Sequence, residues 1–170
     1  MKASGQTDFA VSEKVWDQRL IFLEELLSAM DIDSNKDEEA GDLYFDFQAD
    51  YMSMTCAAWI SEDGWLIFEL RFNWIVPYAA VPSVRKTVEE FNSNESLPFI
   101  LVFSEELRLF SIQGGLPPHS SNEQVIFEKC SEFFEAVAKR ATEIYERANG
   151  ADADMVKLAS LVLTENTSIN

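Results

Sequence analysis

Cysteine is nearly absent from this chain of 170 residues: only Cys56 and Cys130 occur, each among apolar neighbours. That excludes a disulfide framework and any C-x-x-C metal or redox motif, and both read as small core residues. Histidine is scarcer still. His119 stands alone in a Pro-Pro-His loop and reads as exposed, so a metal site or a Ser-His-Asp or Cys-His arrangement would rest on one residue. Neither G-x-x-x-x-G-K-[ST] nor G-x-G-x-x-G is present, so no phosphate cradle is visible. No stretch approaches the roughly 20 apolar residues that span a bilayer. The opening MKASGQTDFAVSEK lacks the apolar run of a signal peptide. Together these absences lead us to expect a cytoplasmic protein with no membrane association, no metal and no cofactor.

Positive charge is also short. Thirteen Lys+Arg stand against thirty Asp+Glu, a formal net charge of −17. Such a field repels phosphate backbones and anionic membranes and excludes nucleic acid as a partner. It favours solubility and basic partners.

What is present suffices for one domain. Hydrophobic residues make up 47% of the chain and aromatics 12%, well above disordered composition. Residues 1–11 read as a flexible lead-in, 12–149 as a single α+β domain, and 150–170 as an extension with a short helix and tail.

The organising stretch is WLIFELRFNWI (65–75), whose even positions Leu66, Phe68, Leu70, Phe72 and Trp74 are all large and apolar. Period-two alternation predicts a central strand with one buried face. Before it, Ser12 is a candidate helix cap, and Trp16, Leu20, Leu23, Leu27 and Met30 form a helical stripe. The acidic segment 31–42 has the first three ligand spacings of a calcium loop in Asp31, Asp33 and Asn35. However, Lys36 replaces the turn glycine, Asp42 the terminal glutamate, and a strand pattern the second helix. It reads as a solvated acidic loop.

Strands are predicted over 43–47 and 52–60, the second joined to the opening stretch by Ser61-Glu62-Asp63-Gly64. A two-residue or a four-residue loop sorts side chains onto the same faces. Either one places Tyr51, Ser53, Thr55, Ala57 and Trp59 with the even residues of 66–74 as the core. The other face then carries Met52, Met54, Cys56, Ala58 and Ile60 with Trp65, Ile67, Glu69, Arg71 and Asn73. Half-apolar and partly charged, this second face suits a partner-binding or dimer surface, with Met52, Met54, Trp65, Ile67, Glu69 and Arg71 as the candidate residues. The alternative is cover by a helix of the same chain.

A second helix is predicted from Pro82 to the Asn92-Ser93-Asn94 stop. A hairpin follows, 98–104 with 107–113, ended by Gly114-Gly115. Ser120 or Ser121 opens a capping box for a long third helix, whose buried side is Ile126, Cys130, Phe133, Val137, Ala141, Ile144 and Ala148. Asn149-Gly150 is its expected terminator. Among many carboxylates only Glu69, beside Ile67 and Trp65, has the apolar setting that a tuned acid or base requires. Arg71 is its natural ion-pair partner.

The order is thus α-β-β-β-α-β-β-α plus a short C-terminal helix, an antiparallel sheet of about five strands packed with helices. With the meander GDLYFDF…MSMTCAAWISEDGWLIFELRF, the helix ending EFNSN and the hairpin PFILVFSEELRLF, residues 12–149 resemble the type III secretion chaperone-like fold. Within it, they are most similar to the YbjN-type proteins, described as sensory-transduction regulators. The resemblance implies a non-enzymatic, homodimeric module that holds a peptide or protein partner on apolar sheet or helix surface, with no catalytic residue. The alternative is a small enzyme or ligand-binding protein with a pocket beside the sheet.

Overall fold

A computed structural model describes residues 16–166, with the backbone alone over 151–166. The alternating stretches form six antiparallel strands, β1 (Ser34–Asp37), β2 (Asp42–Ala49), β3 (Met52–Ile60), β4 (Leu66–Ile75), β5 (Ile100–Ser104) and β6 (Leu109–Leu116). They lie in the order β1-β2-β3-β4-β6-β5, with β4 inside the sheet as its alternation predicts. The helices are α1 (Gln18–Ala29), α2 (Val81–Asn92) and α3 (Glu123–Asn166), and a 3-10 turn, Tyr78–Ala80, leads into α2. The class is α+β, with one strand more than expected. The extra strand is β1, formed within the acidic segment. Asp37 Oδ1 accepts from the amides of Glu39 and Ala40, and Gly41 takes φ 80°, which folds the segment back onto β2 as a hairpin. Lys36 anchors it by pairing with Glu24 at 2.6 Å and lying over the Trp16 ring.

All three helices sit on one face of the sheet. Phe133 and Phe134 of α3 pack against Phe45, Phe47 and Phe68, with ring centroids 4.7–6.2 Å apart. Further along α3, Tyr145 meets Phe72 and Trp74. The predicted helix stripe, Ile126 through Ala148, is buried at each of its seven positions, because a helix lying across a flat apolar face buries one stripe along its whole length.

Several boundaries differ from expectation, each for a local reason. Ser12 lies outside the described residues, and α1 is capped by Asp17, whose carboxylate accepts from the Arg19 amide at 2.9 Å. Met30 is the C-cap of α1 and 40% exposed rather than part of the core stripe. For α3 the cap is Asn122, whose Oδ1 accepts from the Val125 amide, rather than Ser120 or Ser121. Gly150 (φ 38°, ψ −98°) breaks the helical backbone where the terminator was expected, and the second helical run, longer than expected, follows directly and reaches Asn166. Gly114 and Gly115 lie within β6 rather than beyond it. Both are there for close approach: a Cβ on Gly114 would lie 2.5 Å from the Phe133 ring.

The largest correction concerns β3. Gly64 (φ 80°) closes a three-residue loop, Glu62-Asp63-Gly64, in which the Gly64 amide donates to the Ser61 carbonyl and the Ser61 amide to the Trp65 carbonyl. This is a type I turn followed by a left-handed residue. An odd loop length moves the register by one relative to a two- or four-residue loop and turns every β3 side chain over. Met54 therefore pairs with Phe72, Cys56 with Leu70 and Ala58 with Phe68, all on the helix side. Met52 and Met54 are 8% and 0% exposed. Tyr51 lies in the turn before β3, and Ser53, Thr55, Ala57 and Trp59 face away from the helices.

The free edge of β5 is capped by a side chain. The Asn92 carboxamide accepts from the Leu101 amide at 2.7 Å and donates to the Leu101 carbonyl at 2.8 Å, taking the place of a neighbouring strand. An apolar edge such as ILVFS otherwise invites pairing with another chain. Asn92→Ala is expected to cost about 1–3 kcal/mol, because the Leu101 amide and carbonyl lose their partner at a part-buried position. Its main effect is concentration-dependent association, seen as an earlier-eluting species in size-exclusion chromatography at rising protein concentration.

Candidate functional site: the open face of the sheet

The face opposite the helices is built from the outward positions of five strands. Tyr44, Asp46 and Gln48 come from β2, Thr55, Ala57 and Trp59 from β3, and Ile67, Glu69 and Arg71 from β4. Gln113 and Gly115 of β6 and Ile100 of β5 complete it. Among the described residues no helix covers it, and most of its side chains are exposed or half-buried. Four of the six residues expected at a binding surface, Trp65, Ile67, Glu69 and Arg71, lie together here. Met52 and Met54 do not, being turned into the core by the register of β3.

The face is graded along the strands. At the end nearest the β3–β4 turn it is apolar, with Trp59, Trp65, Ile67 and Ile100; Trp65 is 43% and Ile100 53% exposed. In the middle, Arg71 reaches Glu69 Oε2 at 3.0 Å, and Gln113 Nε2 donates to Glu69 Oε1 at 3.3 Å. Both carboxylate oxygens of Glu69 are thus engaged, which suits a buttress of the sheet surface better than a general acid or base. At the far end Thr55 Oγ1 donates to Asn73 Oδ1 at 2.9 Å, in a polar ladder with Ser53. Among the described residues, Asp42, Asp46 and Glu69 face only Arg71 as a cation on this surface.

A hollow of about 390 Å³ lies in the face itself, among Asp42, Tyr44, Thr55, Trp59, Glu69 and Arg71, and two more adjoin it. One of about 430 Å³ lies over Gly115, between Trp65 and Ile67 on one side and Leu97, Pro98 and Ile100 on the other. The other, about 780 Å³, sits at the β2 edge beyond the end of β1, where Asp31, Asp33 and Asp46 make its lining acidic. Neither gathers a set of convergent catalytic groups. Among the described residues no three of His, Cys, Asp or Glu lie close enough to hold a metal ion. His119 is exposed in the loop after β6.

Trp59, Ile100, Gln113 and Gly115 are site residues that the sequence reading did not select. The glycine pair inside an otherwise apolar strand pattern was the available signal, since glycine there marks a close approach or an opening.

The two thiols lie on the other side of the sheet, wholly buried in the core. Burial pushes both upward, Cys130 to about 12 and Cys56 further still. Neither is expected to react with an aromatic disulfide reagent at pH 8 in the native protein, and both should titrate in 6 M guanidinium. Rapid native labelling of either would contradict the packing described.

No helix among the described residues is long and apolar enough to cross a membrane. Comparison with protein-family models, with curated proteins and with solved structures finds no match to this chain.

Proposed function

We propose that this chain is a non-enzymatic protein-binding module that holds a peptide or protein partner on the open face of its sheet. The observation that carries this reading is the one-sided packing. Three helices share one face, while Trp59, Trp65, Ile67 and Ile100 stand on the other without cover among the described residues. Apolar clusters rimmed by polar groups on an otherwise acidic surface are characteristic of interaction sites. The five strands of this face, about 4.8 Å apart and averaging eight residues at about 3.3 Å each, present roughly 600 Å², somewhat below the ~800 Å² per partner of a standard stable interface. A transient complex is the better fit. Self-association through this face would bring Asp42, Asp46 and Glu69 of two copies into one interface, so the partner is taken to be a different and more basic chain. The chaperone-like resemblance of the meander agrees with this reading, and so do two unpaired buried thiols in a reducing, cytoplasmic setting.

Photo-crosslinking tests it. Benzoylphenylalanine placed at Thr55, on the open face, should capture a discrete adduct in lysate. The same group at Glu135, exposed on α3, should not. Equal adducts from both positions, or none from Thr55, would overturn the proposal.

A further inference from the structure

Along β6 the outward positions are Ser111, Gln113 and Gly115, and the last has no side chain. Its neighbour on β4 is Ile67, and on the other side β5 sets Ile100 opposite Gln113. The result is a trough one strand wide, walled by Trp65 and Ile67 against Leu97, Pro98 and Ile100, and closed at one end by Gln113. A Cβ on Gly115 would lie 2.9 Å from the Leu66 carbonyl oxygen, 3.1 Å from Ile67 Cδ1 and 3.8 Å from Trp65 Cε3. The missing side chain is therefore what opens the trough. Trp65 and Ile100 flank it half in water, an arrangement that favours an apolar occupant.

The lining selects among occupants. A small molecule would need several convergent polar groups to fix its orientation, and the trough offers the side chain of Gln113 alone. The space over one glycine fits one large apolar side chain, with its backbone running above the sheet. The chain segments that flank the trough carry exposed acids, Glu62 and Asp63 in the turn before Trp65 and Glu95 in the segment before Leu97, while Glu69 next to Gln113 is paired with Arg71. Lys139 and Arg140 of α3 are already paired with Glu135 and Glu143. The net charge of −17 extends the same sign over the molecule, which draws cationic segments and repels a second copy.

We propose that the Gly115 trough is a socket for one large apolar side chain of a basic polypeptide segment, whose lysines or arginines meet the acids of the flanking segments. This rests on the open-face reading and adds the chemistry of the partner.

The test uses fluorescein-labelled peptides GKKFKKG, GKKGKKG and GEEFEEG, followed by anisotropy at low ionic strength. GKKFKKG is expected to saturate, GKKGKKG to bind about tenfold more weakly, and GEEFEEG not to bind, as for an anchor residue in a charged setting. Gly115→Val fills the trough but its Cβ must also displace the Leu66 carbonyl at 2.9 Å, so Ile100→Lys is the deciding variant. Ile100→Lys, at an exposed rim position that does not endanger folding, adds a cation. Each should weaken GKKFKKG about tenfold or more, with an unchanged circular dichroism spectrum confirming the fold. If GKKFKKG and GKKGKKG bind alike, or if Ile100→Lys binds as wild type, the socket is refuted. Binding of GEEFEEG, or a dimer in sedimentation equilibrium that Ile100→Lys dissolves, refutes the basic partner. Absence of all binding refutes the inference as a whole. The Thr55 cross-link reads the open-face proposal separately, so the two can fail independently.

Discussion

Gly114→Val is expected to lower stability by about 3 kcal/mol or more, or to prevent native packing altogether, since overpacking a filled core costs 1–3 kcal/mol and sometimes more. The position lies on the helix side of β6, and a Cβ there would stand 2.5 Å from two carbons of the Phe133 ring and 3.0 Å from Phe68. Phe133 is 1% exposed and held between Phe68 and Phe134, with centroids at 4.7 and 5.3 Å, so it has nowhere to turn. Even alanine, which in an open strand would gain about 0.5–1 kcal/mol over glycine, is expected to be net destabilising here. The check is urea unfolding of Gly114→Ala, Phe133→Leu and the double variant. The double variant should lose less than the sum of the singles, because the smaller leucine makes room for the new methyl. Strict additivity would mean that α3 does not rest on Gly114.

Asp17→Ala should cost about 2–3 kcal/mol at pH 7, combining a lost helix cap with an orphaned buried cation. Arg19 is 8% exposed, and its guanidinium grips both carboxylate oxygens of Asp17 at 2.9 and 3.0 Å. Its third contact, to the Gly64 carbonyl at 2.7 Å, ties the start of α1 to the β3–β4 turn. The same clasp holds the Asp17 carboxyl below its ordinary range, chiefly through the hydrogen bond from Arg19. A carboxyl depressed in the folded state contributes stability above its unfolded pKa and loses it as pH falls through the folded one. The difference between wild type and Asp17→Ala should therefore be full at pH 7 and shrink below about pH 4. Parallel urea midpoints at pH 7 and pH 3 would settle it; a constant difference would contradict the coupling.

The fold was legible wherever a pattern extended over many residues. The even positions of β4, the seven-position stripe of α3 and the β5–β6 hairpin each repeat often enough to outvote a local irregularity. What could not be read depended on single residues. One left-handed glycine, Gly64, makes the β3–β4 loop odd in length and decides which face of β3 meets the helices. Composition gave no warning, because each candidate face of β3 holds apolar residues: Met52, Met54, Cys56 and Ala58 on one, Ala57 and Trp59 beside Thr55 on the other. β1 was hidden for a related reason, since SNKD pairs through its backbone and carries no apolar signature. The candidate site inherited this error in part. Trp65 and the β4 residues Ile67, Glu69 and Arg71 were placed together on their own alternation, whereas Met52 and Met54 joined them only through the mistaken register. Gly115 went unread because an absent side chain leaves no pattern, and its role as floor emerges only once β4 and β5 are set on either side.

The binding surface stands or falls with the face that β3 turns to solvent. In a Cys130→Ala background, single cysteines at Ser53, Thr55 and Ala57 should each be introduced with Cys56→Ala, and those at Met54 and Ala58 likewise, with native Cys56 as the remaining buried position. Labelling rates with a maleimide at pH 7.5 are expected to alternate: fast at 53, 55 and 57, and slower by orders of magnitude at 54, 56 and 58. The opposite alternation would put Thr55 and Trp59 under the helices, return Met54 to the surface, and remove the open face on which the proposed function depends.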